Sequence, residues 1–334
     1  MTAAAAPWIR AQVEVLLAQQ GHAWLLHGPS GLGQYSLALE LARAWLCENP
    51  GPTGSCGQCG SCHAIDVRTH ADLCVLMPET FMLELGWPLS EKAQAEIDDK
   101  KRKPSKEIRV DGMRDAIEFS QRTSARGRGK VVLVFPAEDM NAVTANALLK
   151  TLEEPPGDVK FVLASESAHR LLPTIRSRCL GHTMHWPQTA AGQQWLEAQG
   201  LARADAHSLL IASGGRPDDA LQFAASGRSA ASWADFPAAM SRGDSAFVKE
   251  WSGPDLLDAM QKLCHDVAAT QAGALPRFFS PQMLKPLPKT SMESANAWSA
   301  YLVSARKTMD HPFNPGLMLE ALVERARSAL NSNA

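Results

Sequence analysis

Cys47, Cys56, Cys59 and Cys62 fall within sixteen positions, the last three in a Cys-x2-Cys-x2-Cys run threaded by Gly54, Gly57 and Gly60. Four thiolates on one short loop suit a tetrahedral ion, zinc above all, and glycine lets the chain turn tightly enough to surround it. Sulfur in all four coordination positions leaves none for water, so such an ion is expected to be structural rather than catalytic. The same thiols could hold an iron–sulfur cluster or stay free. His63 adjoins the run and could compete as a ligand, but the thiols complete a set without it.

A second stretch has the form of a phosphate-binding loop. Gly28-Pro29-Ser30-Gly31-Leu32-Gly33 follows the apolar run Ala23 to His27 and precedes a segment of helical period, so its backbone amides face outward at a helix start. The pattern then asks for Lys, to neutralise phosphate, and Ser or Thr, to ligate Mg²⁺. Here stand Gln34, uncharged, and Tyr35, whose hydroxyl lies at the end of a ring. The stretch is therefore read as a turn that lets strand and helix pack closely, with weak nucleotide binding without hydrolysis as the alternative. A hydrolysing site also needs an acid at the end of a neighbouring apolar strand, yet Val131 to Phe135 runs into Pro136 and Ala137, and Glu138 and Asp139 come late. No ATPase activity is expected of the isolated chain.

The elements that position these residues follow from periodicity. A helix over about 8–20, the buried strand beginning at Ala23 and a helix from Ser36 to Cys47 lead into the cysteine loop, and Ala71 to Glu79 reads as the next strand. Residues 81–107 interrupt the pattern with adjacent charges of both signs and read as a surface insertion without a core role. A helix from Val110 to Gln121, the apolar strand after Lys130, a helix stopped by Pro155 and Pro156, and the strand Lys160 to Ser165 follow. Beyond Pro187 the strand signal fades into helices broken at glycine- and proline-rich turns. One α/β domain followed by two helical ones is expected.

With 334 residues, 45% hydrophobic and 20% charged, the chain is too apolar for disorder and long enough for more than one core. Lys+Arg 33 against Asp+Glu 35 excludes binding of nucleic acid by overall charge. The amino-terminal stretch lacks secretory features and no apolar run approaches a membrane span, so a cytoplasmic protein without membrane attachment is expected.

Asn146-Ala147-Leu148-Leu149-Lys150-Thr151-Leu152-Glu153-Glu154-Pro155-Pro156, together with Arg176-Ser177-Arg178-Cys179, resembles the clamp-loader branch of the AAA+ proteins, of which Ser-Arg-Cys is a hallmark. The cysteine spacing, the incomplete phosphate loop and His311-Pro312-Phe313-Asn314-Pro315 strengthen the likeness, which spans most of residues 7–180 and the carboxyl end. It implies a RecA-like AAA+ domain over 1–186 with an inserted zinc module at about 47–74, a small helical lid over 187–228, and an all-α collar over 229–334 that joins a ring. The implied function is to help load a sliding clamp onto primed DNA, with ATPase subunits of the tau or gamma type and a delta subunit as partners.

In this family the second arginine of the triplet, Arg178 here, reaches a neighbouring subunit's ATP, with Ser177 as its motif partner. Such an arginine acting in trans can be worth about 10³- to 10⁵-fold in rate. The resemblance also places a phosphate-sensing polar residue at Ser165, where a strand-end cap is the plainer reading. Active relatives carry an arginine where this chain has Asp218, with Arg216 two positions earlier, so a normal nucleotide sensor is not expected. The basic run Lys100 to Lys103 could touch DNA, but Asp98 and Asp99 beside it favour a solvated loop. Two other functions compete: an active P-loop ATPase using Gln34 in place of lysine, and a free-standing zinc-dependent DNA-binding protein, which the near-neutral charge disfavours.

Overall fold

The computed structural model describes residues 5–309 and 314–332, so His311, Pro312 and Phe313 lie outside the described residues. The chain divides into two compact units, Met1–Pro187 and Gln188–Ala334.

The first unit is built on a five-stranded sheet. In chain order it contains α1 (Pro7–Leu17), β1 (Ala23–His27), α2 (Gln34–Leu46), α3 (Gly60–Asp66), β2 (Leu73–Leu76), α4 (Glu79–Glu84), α5 (Glu91–Asp98), α6 (Val110–Gln121), β3 (Lys130–Val134), α7 (Ala142–Glu153), β4 (Val159–Ser165), α8 (Pro173–Arg176) and β5 (Leu180–Thr183). The strands are parallel in the order β2-β3-β4-β1-β5. Every residue of β3 is buried, and so is all of β4 except Lys160, which is why both read as apolar runs rather than alternating ones. The centre of the sheet thus brings the ends of β1 and β4 together, with His27 in register with Ser165 and the phosphate-type loop starting at the next residue.

Three details differ from the sequence expectation. Strand β2 is only Leu73–Leu76. Strand β5 gives little apolar signal because it is an edge strand with only His182 buried. Helix α4 runs into the insertion and α5 lies within it, and the insertion's Trp87 is buried at 7% exposure, so the expectation of no core role is corrected. Glu79 and Glu96 clasp Arg102 between them, which folds the charged stretch back on itself.

The second unit is helical, with α9 (Thr189–Ala198), α10 (Arg203–Ala212), α11 (Pro217–Ala225), α12 (Ala230–Arg242), α13 (Gly253–Gln271), α14 (Pro281–Leu284), α15 (Met292–Lys307) and α16 (Pro315–Leu330), and no strand among its described residues. One apolar cluster runs from Leu196 to Leu330. At its centre the Trp233 and Phe279 rings stack 4.4 Å apart. The buried Asp266 carboxylate accepts the backbone N–H groups of Arg277, Phe278 and Phe279, satisfying a loop that would otherwise bury unpaired donors.

Candidate functional site

Helix α2 has a candidate site at each end. At its carboxyl end Cys47 is the capping residue, in extended conformation, and Gly51 and Gly54 exchange backbone hydrogen bonds to close the following loop. Cys59 caps α3, its sulfur accepting the Cys62 N–H at 3.4 Å, while the Cys47 sulfur accepts the Cys56 N–H at 3.3 Å. The sulfurs of Cys47 and Cys59, and of Cys47 and Cys62, stand 3.8 Å apart, and all four lie within 4.8 Å of one another. A regular tetrahedron of sulfurs about 2.3 Å from a central zinc has edges of about 3.8 Å, so the residues fit a tetrahedral metal ion and are too far apart for disulfides.

The ionisation of the set points the same way. Burial pushes Cys62 up to about 12 and raises Cys47. Cys59 pays its own desolvation, but the N–H groups of Cys62 and Glu48 and the thiols of Cys62 and Cys56 outweigh it and bring the thiol down to about 6. Cys56 is lowered by the N–H groups of Gln58 and Cys59. The loop's N–H groups thus lower Cys56 and Cys59 while burial raises Cys47 and Cys62, and a bound cation would favour the deprotonated form of all four.

This loop is tied to the sheet. Glu48 Oε1 accepts from Ser61 N at 3.0 Å and from Arg126 Nη1 at 3.0 Å. The turn carrying Arg126 is held by Asp72, fully buried just before β2, which accepts Ala125 N at 2.7 Å and Arg126 N at 2.9 Å and pairs with Lys130 at 3.4 Å. Burial would raise the Asp72 carboxyl, but those N–H groups, Ser124 and Lys130 hold it below the usual carboxylate range. Nothing in the sequence singles out Asp72, because its partners lie more than fifty positions away.

At the amino end of α2, Gly31 and Gly33 adopt positive φ of 73° and 89°. A Cβ on Gly28 would lie 2.9 Å from Met184 Cβ, so the first glycine is required by close packing. Gln34 is 2% exposed, and its amide donates to the carbonyls of Gly28 at 2.8 Å and Pro29 at 2.7 Å. The side chain in the lysine position therefore folds back to satisfy its own loop. Tyr35 turns away: its hydroxyl accepts from Trp87 Nε1 at 2.7 Å and its ring lies 5.5 Å from Phe135. Burial raises the Tyr35 hydroxyl, which offers a metal no anionic oxygen.

Glu138 and Asp139 lie in a short 3-10 turn after β3, Glu138 accepting from Glu166 N at 2.9 Å. Ser165 is buried at the end of β4 and its hydroxyl accepts Ser167 N at 3.2 Å, the geometry of a strand-end cap. Arg216 donates to Ser213 O at 2.9 Å and pairs with Asp219 at 2.9 Å, leaving Asp218 in the first turn of α11. Lys101 pairs with Asp99 at 2.8 Å and Arg102 is held inside the insertion. Arg178 follows α8 at the surface of the first unit; its Nε donates to Glu153 Oε1 at 2.8 Å, Nη2 reaches the same oxygen, and Nη1 donates to Thr174 O at 2.8 Å. Ser177 donates to the same Thr174 carbonyl at 3.2 Å. The partnership with Glu153 joins two motifs that sequence reasoning left separate.

A family profile described as DNA polymerase III, delta subunit matches residues 12–186, more than half of the chain. The delta' subunit of DNA polymerase III from Pseudomonas aeruginosa is 42% identical over 216 residues, covering 63% of this chain and 58% of that protein. The delta' subunit from Escherichia coli (strain K12) is 35% identical over 221 residues, covering 64% and 59%. These alignments span less than two thirds of the delta' relatives' length. The tau subunit from Escherichia coli (strain K12) is 36% identical over 159 residues, 48% of this chain and 21% of that protein. In fold, the crystal structure of a DNA polymerase III gamma subunit-related protein from Thermotoga maritima matches with a TM-score of 0.50 and 17% identity, covering 97% of this chain and 100% of that one.

Proposed function

Because the chain belongs to the DNA polymerase III delta-subunit family, we propose that it is a clamp-loader subunit of the delta' kind, unable to hydrolyse ATP itself and supplying Arg178 to a neighbour's ATP site. The observation that carries this reading is Gln34: its amide closes the loop that would bind phosphate, so the chain's chemical contribution to hydrolysis is made elsewhere. Arg178 suits that task because a guanidinium keeps its charge, presents planar forked donors to phosphate oxygens, and stabilises charge spreading over the transferring phosphoryl. Ser177 packs the motif by sharing the Thr174 carbonyl with Arg178.

The partners in this reading are ATPase subunits of the tau or gamma kind and a delta subunit, and through the ring a sliding clamp and primed DNA. The helices up to about residue 228 act as a lid and those beyond as a ring-forming collar. Zinc is the ion for the four cysteines; when bound it supplies a charge that cross-links the loop and no catalytic position. No helix among the described residues is long and apolar enough to cross a membrane, in keeping with work in the cytoplasm.

The test is twofold. Mixed with tau- or gamma-type and delta subunits, the purified chain is expected to co-elute in one complex, and alone it is expected neither to bind ATP at equilibrium nor to release phosphate. DNA-stimulated turnover by the isolated chain, abolished by a Gln34 substitution, would favour the active ATPase instead.

A further inference from the structure

Resting on the role just given to Arg178, we infer that Glu153 is a positioning residue that sets this arginine's guanidinium for a neighbour's phosphate. Glu153 is the last residue of α7, and α7 is firmly seated. Its amino end is capped by Asn141, which accepts Thr144 N at 3.0 Å, and Leu148 and Leu152 are buried at 0% and 1% exposure. Arg178 stands equally well anchored, two residues after α8, whose Ile175 is fully buried. The carboxylate and the guanidinium therefore meet as ends of two fixed elements, not as the tips of free loops.

Glu153 Oε1 takes the side edge of the guanidinium, Nε at 2.8 Å together with Nη2, while Nη1 is held by Thr174 O at 2.8 Å. Fixing two sides of a planar group fixes its plane and the direction of the remaining N–H groups. Nη2 keeps a second N–H with no acceptor among the described residues, and the Nη1 contact to Ser177 Oγ, at 3.4 Å, is long enough to be exchanged for a stronger acceptor. The terminal edge is thus the one left for an anion. With 29% and 49% of the two side chains exposed, the pair adds little to folding, so its main consequence is orientation. An arginine already held loses less rotamer freedom when it meets the transition state, and donors fixed in advance need no reorganisation as charge develops. A carboxylate that instead masked the arginine until displaced would have the opposite effect on rate.

The experiment uses the full chain in a reconstituted clamp loader with sliding clamp and primed DNA, and compares Glu153→Ala, Glu153→Gln, Arg178→Ala and the double variant Glu153→Ala/Arg178→Ala. Gel filtration and thermal melting confirm that each assembles and folds. Glu153→Ala is expected to remove about half or more of the ATPase activity that Arg178→Ala removes, through kcat with KM for ATP unchanged. Glu153→Gln, which keeps the oxygen acceptor without the charge, should fall between Glu153→Ala and the unaltered chain. The double variant should be no slower than Arg178→Ala alone, since a positioning residue has nothing left to position. If Arg178→Ala is impaired while Glu153→Ala runs at the unaltered rate or faster, or if the two losses add in the double variant, the positioning role is overturned and that of Arg178 stands. If Arg178→Ala itself runs at the unaltered rate, both are overturned.

Discussion

Helix α2 carries a loop at each end, and the two differ in where their polar atoms are turned. At the amino end the Gln34 amide is spent on the carbonyls of Gly28 and Pro29 and the Tyr35 hydroxyl on Trp87, so the loop is complete as it stands. At the carboxyl end the four cysteine sulfurs converge on one another at spacings set for a central ion. Both loops are glycine-rich and both resemble ligand sites in sequence. The decisive difference is whether the side chains satisfy the loop itself or leave a set of donors that only a ligand can complete.

The largest way to break that contrast is to remove the ion. Strong chelation, or Cys62→Ser, is expected to take metal content by elemental analysis from one equivalent to none and to cost on the order of 4 kcal/mol of stability for the first unit. An unchanged melt after complete removal would make the cysteine loop as self-sufficient as the other, whereas iron in place of zinc would keep the contrast and overturn only the choice of metal. Asp72→Asn comes next, because it leaves Lys130 buried beside a neutral group while Asp72 no longer anchors the Arg126 turn as an anion; the expected cost is about 3 kcal/mol by chemical denaturation. Its pH signature has a defined sign. The folded carboxyl is held below its ordinary value, so its contribution is fully present above about pH 4 and fades as the pH falls through the lower folded value. The asparagine variant should therefore show a flatter loss of stability on acidification.

Substitutions at the amino end should have smaller effects. Gln34→Ala strips the partner from two loop carbonyls and is expected to cost about 1 to 2 kcal/mol. Gln34→Lys supplies the missing charge, yet ATP hydrolysis by the isolated chain is expected to stay at background. Trp87 still holds the Tyr35 hydroxyl, and the residues leaving β3, Phe135 and Pro136, offer no acid to orient water. Turnover restored by that one change would show that a single charge separates this loop from a working site.

Local features of the fold were legible in the sequence. The cysteine spacing, the apolar runs of β3 and β4 and the proline stop after α7 depend on neighbours a few positions away, and each lies where its pattern indicates. Distant partnerships were not legible. Trp87 sits in a charged stretch, yet it is buried and its N–H is received by Tyr35, 52 positions earlier. The ion pair of Glu153 with Arg178 bridges 25 positions and two motifs. Strand β5 is short and largely exposed, so only its pairing with β1 identifies it.

The role of this chain in hydrolysis is decided by the ATPase of a reconstituted loader carrying Arg178→Ala, measured with clamp and primed DNA after gel filtration shows an intact complex. A clear but partial loss is expected, because in the proposed assembly one ATP site would abut this chain while the other sites would keep their own interfaces. A fully assembled complex that hydrolyses ATP and loads clamp at the unaltered rate would leave Arg178 a surface residue paired with Glu153 and nothing more.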